Sequence, residues 1–252
     1  MRPVAVVAHR GASGDFPENT AAAFQEAIRL GVDAIEPDVH LTADQRLLVI
    51  HDPTVDRTSD GTGRVAEMTM AQLRQLDAGA WKSPRCRGER FLELGEALEL
   101  MPAHIRLNVH VKAYEADRDV VIPLAVTELV RRGLLEQAFV ASDAASLERA
   151  RQVEPALAIC NLSTQPADTY VARSQQLGCR ILQPGNGVTD GALVAAAHAR
   201  GMEDNHFHAD DEREMQRLVA CGVDGILTNY PARLQELRGR ACSRNLLLHR
   251  PH

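Results

Sequence analysis

The sequence predicts a (β/α)8 barrel, a TIM barrel, with a small insertion after its second strand. Three observations carry this reading. Short apolar strands alternate with helical patterns along all 252 residues. Glycines close successive helical patterns, at Gly31, Gly133, Gly178, Gly201 and Gly222, where a left-handed residue ends a helix without steric cost. Eight such units fill a length at which parallel strands joined by right-handed crossovers close on themselves. A doubly wound open sheet is the structural alternative.

Val4–Ala8 is the first strand, and Asn19–Leu30 the first helix, with Asn19 as its N-cap and Gly31 as its stop. Ala34–Val39 is the second strand. The later strands are Arg106–Val111, Ala138–Ala141, Ala156–Asn161, Arg180–Gln183, Asn205–His208 and Gly225–Leu227. Helical patterns lie between them at Val120–Arg132, Ala144–Gln152, Thr169–Leu177, Asp190–Ala199 and Asp211–Ala220, with a last helix near Pro231–Arg238. One interval breaks the period. The roughly sixty residues between the second and third strands include "RLLVIHDPTVDRTSDGTGRV", a strand followed by a loop rich in Gly, Asp and Thr. Residues 52–100 are therefore read as the insertion and second helical region of one domain spanning 1–252, with Gly61 and Gly63 allowing its turn. The insertion is placed over the barrel mouth. Whether Trp81 covers a pocket there or anchors its own segment is left open.

Composition bounds the partners. A net charge of −6 argues against a nucleic-acid or anionic-membrane surface, while leaving room for a local basic pocket. No apolar run reaches the eighteen residues of a membrane span, and the N-terminal apolar stretch is too short for a signal peptide. Five cysteines, an odd number without a C-x-x-C pair, read as reduced thiols in a cytoplasmic protein. A homo-oligomer is left open.

Catalytic groups of such barrels sit at the C-terminal ends of the strands. The first strand runs into His9-Arg10, the second carries Glu36-Pro37-Asp38, the third carries Asn108, His110 and Lys112, and the inserted strand ends in His51-Asp52. Residues two apart on a strand share a face, so Glu36 and Asp38 repel each other unless a cation lies between them. That cation is a hard divalent ion, or the two are simply an exposed acidic pair. Lys112, on the face of His110, pairs with Glu36 or Asp38, or else holds a substrate phosphate. Arg10 presents a planar fork suited to phosphate. His9 titrates near neutrality and can move protons, with His51 as its partner from the insertion. Two histidines, two carboxylates, an arginine and a lysine are the inventory of a phosphodiesterase site.

Three stretches, "AHRGASGDFPENTAAAF", "GVDAIEPDVHLTADQRLLVIHDPTVDRTSDGTGRV" and "GVDGILTNYP", resemble the glycerophosphodiester phosphodiesterases. The likeness covers nearly the whole chain and is strongest in its first 76 residues. His-Arg-Gly, Pro-Glu-Asn-Thr, Glu-x-Asp and His-Asp in this order make it specific. It implies a (β/α)8 barrel with an insertion after the second strand. It implies metal-dependent hydrolysis of a small glycerophosphodiester to sn-glycerol 3-phosphate and an alcohol. The glycerol 2-hydroxyl serves as internal nucleophile and a cyclic phosphate as intermediate, with the proximity advantage of intramolecular attack. It further implies His9 and His51 as the acid/base pair, Glu36 and Asp38 as ligands of one divalent metal ion, and Arg10 and Lys112 on the phosphate.

Two departures stand out. The family's third strand carries Glu-x-Lys, its Glu a third metal ligand; here "LNVHVKAY" puts His110 in that place. An imidazole admits Zn or Co beside Mg, Ca or Mn. The family's seventh strand often carries a Trp against the glycerol; here Phe207 has that register, facing the pocket, with His206 and His208 on the opposite face. The alternative is that this His-x-His itself binds metal. Two rival functions follow from the lost carboxylate and from the chemistry: a barrel that binds a phosphodiester without turnover, and a phospholipase-like lyase releasing a cyclic phosphate. Glycerol 3-phosphate, a cyclic ester or no product separates the three.

Overall fold

A computed structural model describes residues 3–162, 166–185 and 187–248. Its elements run β1 (Ala5–His9), α1 (Ala21–Arg29), β2 (Ala34–Glu36), β3 (Asp38–Leu41), β4 (Leu47–Val49), α2 (Met70–Leu73), α3 (Leu94–Leu100) and β5 (Arg106–Val111). They continue α4 (Arg118–Arg131), β6 (Ala138–Ser142), α5 (Ala144–Val153), β7 (Ala158–Leu162), α6 (Ala167–Gln176), β8 (Ile181–Gln183) and α7 (Gly191–His198). The chain ends β9 (Glu203–His206), α8 (Glu212–Cys221), β10 (Gly225–Thr228) and α9 (Pro231–Leu248). β1 pairs in parallel with both β10 and β2, and β2 pairs with β5. The ring is therefore closed, which excludes the open sheet and leaves no edge strand in the barrel.

The second barrel strand is interrupted at Pro37, where the sequence reading had it continuous from Ala34 to Val39. Proline has no N–H to give the ladder, so β2 and β3 part there. The Pro37 carbonyl still accepts the His110 N–H at 3.0 Å, and Asp38 then pairs with His110 in register. The interruption thus costs one donor and leaves both acidic residues beside β5. β4 hairpins back antiparallel on β3, outside the ring.

Other boundaries move for local reasons. Thr20, not Asn19, caps α1: its side chain accepts the Ala23 N–H, and its backbone is extended. Asn19 is in the left-handed region at φ 59° and is committed elsewhere. The strand expected at Asn205–His208 ends at His206. The last helix continues past Arg238 to Leu248. Gly222 bears out the stop signal, capping α8 at φ 86°.

The main core lies between strands and helices, where Phe24, Ile35, Leu107, Val109, Ile122 and Leu129 are fully buried. The insertion has a core of its own, in which Leu48, Ile50, Val55, Val65, Leu73 and Phe91 pack together. Each large side chain so buried contributes roughly 1.5–3 kcal/mol, so the insertion holds a fixed shape above the ring. No helix among the described residues is long and apolar enough to cross a membrane.

Candidate active site

The expected acidic pair and its basic neighbours meet at the C-terminal end of the barrel. Asp38 is fully buried at their centre. Its Oδ1 is 3.0 Å from His110 Nδ1 and 3.1 Å from Lys112 Nζ, and its Oδ2 is 3.1 Å from Arg10 Nε. Glu36, also buried, has Oε1 at 3.6 Å from His110 Nδ1. Burial would raise the Asp38 pKa, but His110, Lys112 and Arg10 outweigh it and hold the carboxyl well below its ordinary range. Burial likewise works against the His110 imidazolium, and the adjacent Asp38 and Glu36 carboxylates reverse the outcome, raising its pKa.

The His-Arg-Gly stretch forms the turn that delivers Arg10. Arg10 takes φ 58°, a left-handed conformation costing a non-glycine residue roughly 1–2 kcal/mol. Its N–H donates to the Glu36 carbonyl at 2.7 Å, and its side chain also pairs with Glu18 at 2.9 Å. Gly11 follows at φ 80°, and a Cβ there would lie 2.6 Å from the Ala23 carbonyl carbon, so the loop can lie against α1 only with glycine. Asn19 braces Asp38 from behind: Nδ2 donates to Asp38 Oδ2 at 3.1 Å, and Oδ1 accepts the Asp38 N–H at 3.3 Å.

His9, buried, faces the same mouth. Its Nδ1 lies 2.8 Å from Asn229 Oδ1, while Asn229 Nδ2 donates to Asp210 Oδ2 at 2.6 Å. An oxygen opposite Nδ1 requires the proton on Nδ1, which leaves the Nε2 lone pair free. Burial lowers the His9 pKa, offset only in part by Glu36, so the ring is neutral at neutral pH and can accept a proton. Phe207 meets His9 edge to face at 5.1 Å between centroids.

His208 does not share a face with His206, as strict alternation required. β9 stops at His206, and in the irregular segment that follows alternation no longer fixes the face of a side chain. His208 stacks on His9 at 5.3 Å. His206 is buried away from it, its Nδ1 2.7 Å from Thr189 Oγ1 and its pKa pushed down to about 4 by burial. The two histidines therefore do not form a chelating pair.

His51 stands on the insertion side, half-buried, with Nδ1 2.6 Å from Asp52 Oδ1. Arg57 grips Asp52 at 2.7 Å and Glu18 at 2.7 Å, tying the insertion to the loop after β1. Arg57 is the main reason the Asp52 pKa falls to about 2, so this carboxylate stays charged behind the imidazole. Lys82 donates to the Ser13 carbonyl at 2.8 Å, a second tie. Trp81 bonds the Ala78 carbonyl of its own segment and remains partly exposed, an anchor of the insertion. Beside His110 and Lys112 opens a cavity of about 240 Å³, lined also by Tyr114, Ser142, Asp143 and Asn161.

Glu36, Asp38 and His110 each offer a ligand atom, and these atoms lie within 4.8 Å of one another. Asp38 Oδ1 is buried and has close cationic neighbours but no aligned hydrogen bond. A buried acceptor left in that state, beside a second carboxylate and an imidazole, fits a divalent cation. Asn19, Asp210 and Asn229 join the site without having been singled out for it in the sequence, where His208 was considered only as half of a His-x-His metal pair. The strand-end rule that picks His9 also picks Asn229, one residue past β10. Nothing local marks Asn19 or Asp210 for these contacts.

Residues 9–233 match the family model described as the glycerophosphoryl diester phosphodiesterase family. A glycerophosphodiester phosphodiesterase of Caldanaerobacter subterraneus subsp. tengcongensis is 33% identical over 239 residues, covering 92% of this chain and 96% of the relative. One from Bacillus altitudinis is 31% identical over 242 residues, 92% of this chain and 97% of the relative. Among solved structures, a phosphodiesterase of Oleispira antarctica in complex with the product sn-glycerol-3-phosphate superposes with a TM-score of 0.87 at 29% identity. The match covers 92% of this chain and 95% of that one.

Proposed function

The chain belongs to the glycerophosphoryl diester phosphodiesterase family, and from that premise we propose that it hydrolyses small glycerophosphodiesters to sn-glycerol 3-phosphate and an alcohol, with His9 and His51 moving the protons. The observation that carries the reading is the convergence on Asp38. One buried carboxylate has an imidazole, an ammonium and a guanidinium within 3.1 Å, at the mouth where His9 holds an open Nε2.

Glu36, Asp38 and His110 would hold one divalent ion, which supplies charge stabilisation at the phosphoryl oxygens. Arg10 and Lys112 turn from Asp38 to the non-bridging oxygens, Arg10 through its fork and Lys112 as a point charge. His9 Nε2 accepts the proton of the attacking hydroxyl. The new P–O bond forms as the bond to the alcohol breaks. His51, backed by the Asp52 carboxylate, delivers a proton to the departing oxygen, leaving a cyclic phosphate. Water then attacks phosphorus and gives its proton to His51. The ring P–O bond to the hydroxyl oxygen that had attacked breaks, and His9 returns its proton to that oxygen, giving glycerol 3-phosphate. Phe207 supplies the apolar wall against the glycerol carbons.

The nitrogen donor at His110 shifts the preferred ion toward Mn, Co or Zn relative to a three-carboxylate cage. The test is chelator-stripped protein given a glycerophosphodiester and each divalent ion in turn, with products resolved. Release of glycerol 3-phosphate restored by an added ion is expected. A cyclic ester as the end product, or no turnover with any ion, defeats the proposal.

A further inference from the structure

The geometry points to Asp210 as a positioning residue that sets the tautomer of His9 through the side-chain amide of Asn229. The inference rests on the reading of His9 as proton acceptor. An asparagine amide can face either way, and only its surroundings decide. Turned one way it shows His9 an oxygen and fixes the proton on Nδ1. Turned the other it shows N–H, which fixes the proton on Nε2 and removes the lone pair from the mouth.

Ser13 does not make the choice. Its Oγ lies 2.8 Å from Asn229 Oδ1 and 2.7 Å from the His9 carbonyl, and a hydroxyl can donate to an oxygen or accept from an N–H. Asp210 does make it. A carboxylate only accepts, and Asp210 Oδ2 stands 2.6 Å from the Asn229 amide nitrogen. Reversing the amide would set oxygen against carboxylate oxygen at that distance and forfeit a charge-assisted bond.

Asp210 is itself held. Its Oδ1 accepts the Asn229 N–H at 2.8 Å and the Thr228 hydroxyl at 3.2 Å. That hydroxyl proton is available because Thr228 Oγ1 takes the Tyr230 N–H as acceptor. Arg233 donates to the Asp210 carbonyl at 3.0 Å. On the other side, His208 Nε2 is 3.7 Å from Asp210 Oδ2 while its ring covers His9. The carboxylate thus orients the imidazole from one amide away, without a direct ion pair to the ring.

The experiment is 15N NMR of the imidazoles in the whole protein, with the His9 signals identified by their loss in His9→Gln. Wild type is expected to carry the proton on Nδ1; finding it on Nε2 overturns the inference with no variant needed. Asp210→Asn frees the amide to turn, so a measurable share of His9 should move to the Nε2–H form. kcat should fall about 10²-fold or more, with KM little changed. The exchange Asp210→Asn with Asn229→Asp puts an acceptor directly on Nδ1 and should restore the tautomer and at least tenfold of the lost kcat. Nδ1–H with wild-type kcat in Asp210→Asn refutes the assignment. Full turnover in His9→Gln instead refutes the acceptor reading, while the tautomer measurement still judges Asp210.

Discussion

Replacing Asp204 by asparagine tests how the fold carries a buried carboxyl with no neutralising partner. Asp204 lies on β9 with no exposed surface, and neither carboxyl oxygen has a hydrogen bond among the described residues. Its neighbour Asp224 accepts the Asp204 N–H at 2.8 Å and contacts His198 at 2.8 Å. Burial, reinforced by the Asp224 charge, raises the Asp204 pKa from 3.8 to about 7. Below pH 4 both folded and unfolded chains hold this proton. Between 4 and 7 the folded chain keeps a proton that the unfolded chain has lost, so stability falls as pH rises, by about 1.4 kcal/mol per pH unit. Above pH 7 the loss levels off at about 4 kcal/mol for a shift of about 3 units. Asp204→Asn retains the shape and removes the titration. Denaturant unfolding of both proteins from pH 5 to 8.5 measures it, because their other titrations cancel in the difference. The variant should gain on wild type by about 2–3 kcal/mol across that range, most of it below pH 7. A difference that stays flat with pH would mean that Asp204 is charged and satisfied in the fold, and the reasoning fails.

At the site, His9→Ala and His51→Ala should each lower turnover about 10²-fold or more with the fold retained; wild-type-like turnover in either removes that residue from the mechanism, with circular dichroism as the control. Lys112→Met should weaken binding of a non-hydrolysable phosphodiester analogue while leaving metal affinity intact; calorimetry showing the reverse assigns Lys112 to its ion pair with Asp38 instead. His110→Glu should move activity and metal affinity toward Mg²⁺ or Ca²⁺, read on stripped protein against a panel of ions; superimposable profiles in the two proteins exclude His110 from the ligand set.

The barrel was legible because its signal is local and repeated. Each strand, helix and closing glycine is read within one unit, and the count of units supplies the closure. Site residues inside strands were legible for the same reason. The two-residue period puts Glu36 with Asp38 and His110 with Lys112, and parallel pairing in register brings Asp38 against His110. The period fails where the ladder fails. His208, two residues beyond the end of β9, could not be placed by alternation. Asn19 has the composition of a helix cap and is used to hold Asp38, a choice made by a left-handed backbone that no spacing announces. Asp210 and Asn229 are separated by 19 residues and meet because they follow the neighbouring parallel strands β9 and β10 at the same end of the barrel.

The exchange of a carboxylate for His110 bears on the electrostatics of the whole mouth. Three carboxylates around one cation would bind it strongly and would also repel an anionic phosphodiester. With His110 the acidic set is Glu36 and Asp38, and Arg10 and Lys112 already stand against Asp38. On the proposed reading those two cations have little carboxylate charge left to neutralise once an ion is bound, and they are free to meet the phosphate. The same exchange removes one unit of attraction for the ion. On the same reading, retention would come from the coordinate bond of the imidazole nitrogen, which later first-row ions form well and Mg²⁺ or Ca²⁺ form poorly. On the proposed reading, metal preference and substrate affinity are therefore coupled through one residue: the change that loosens hard-ion binding is the change that would release Arg10 and Lys112 for the substrate.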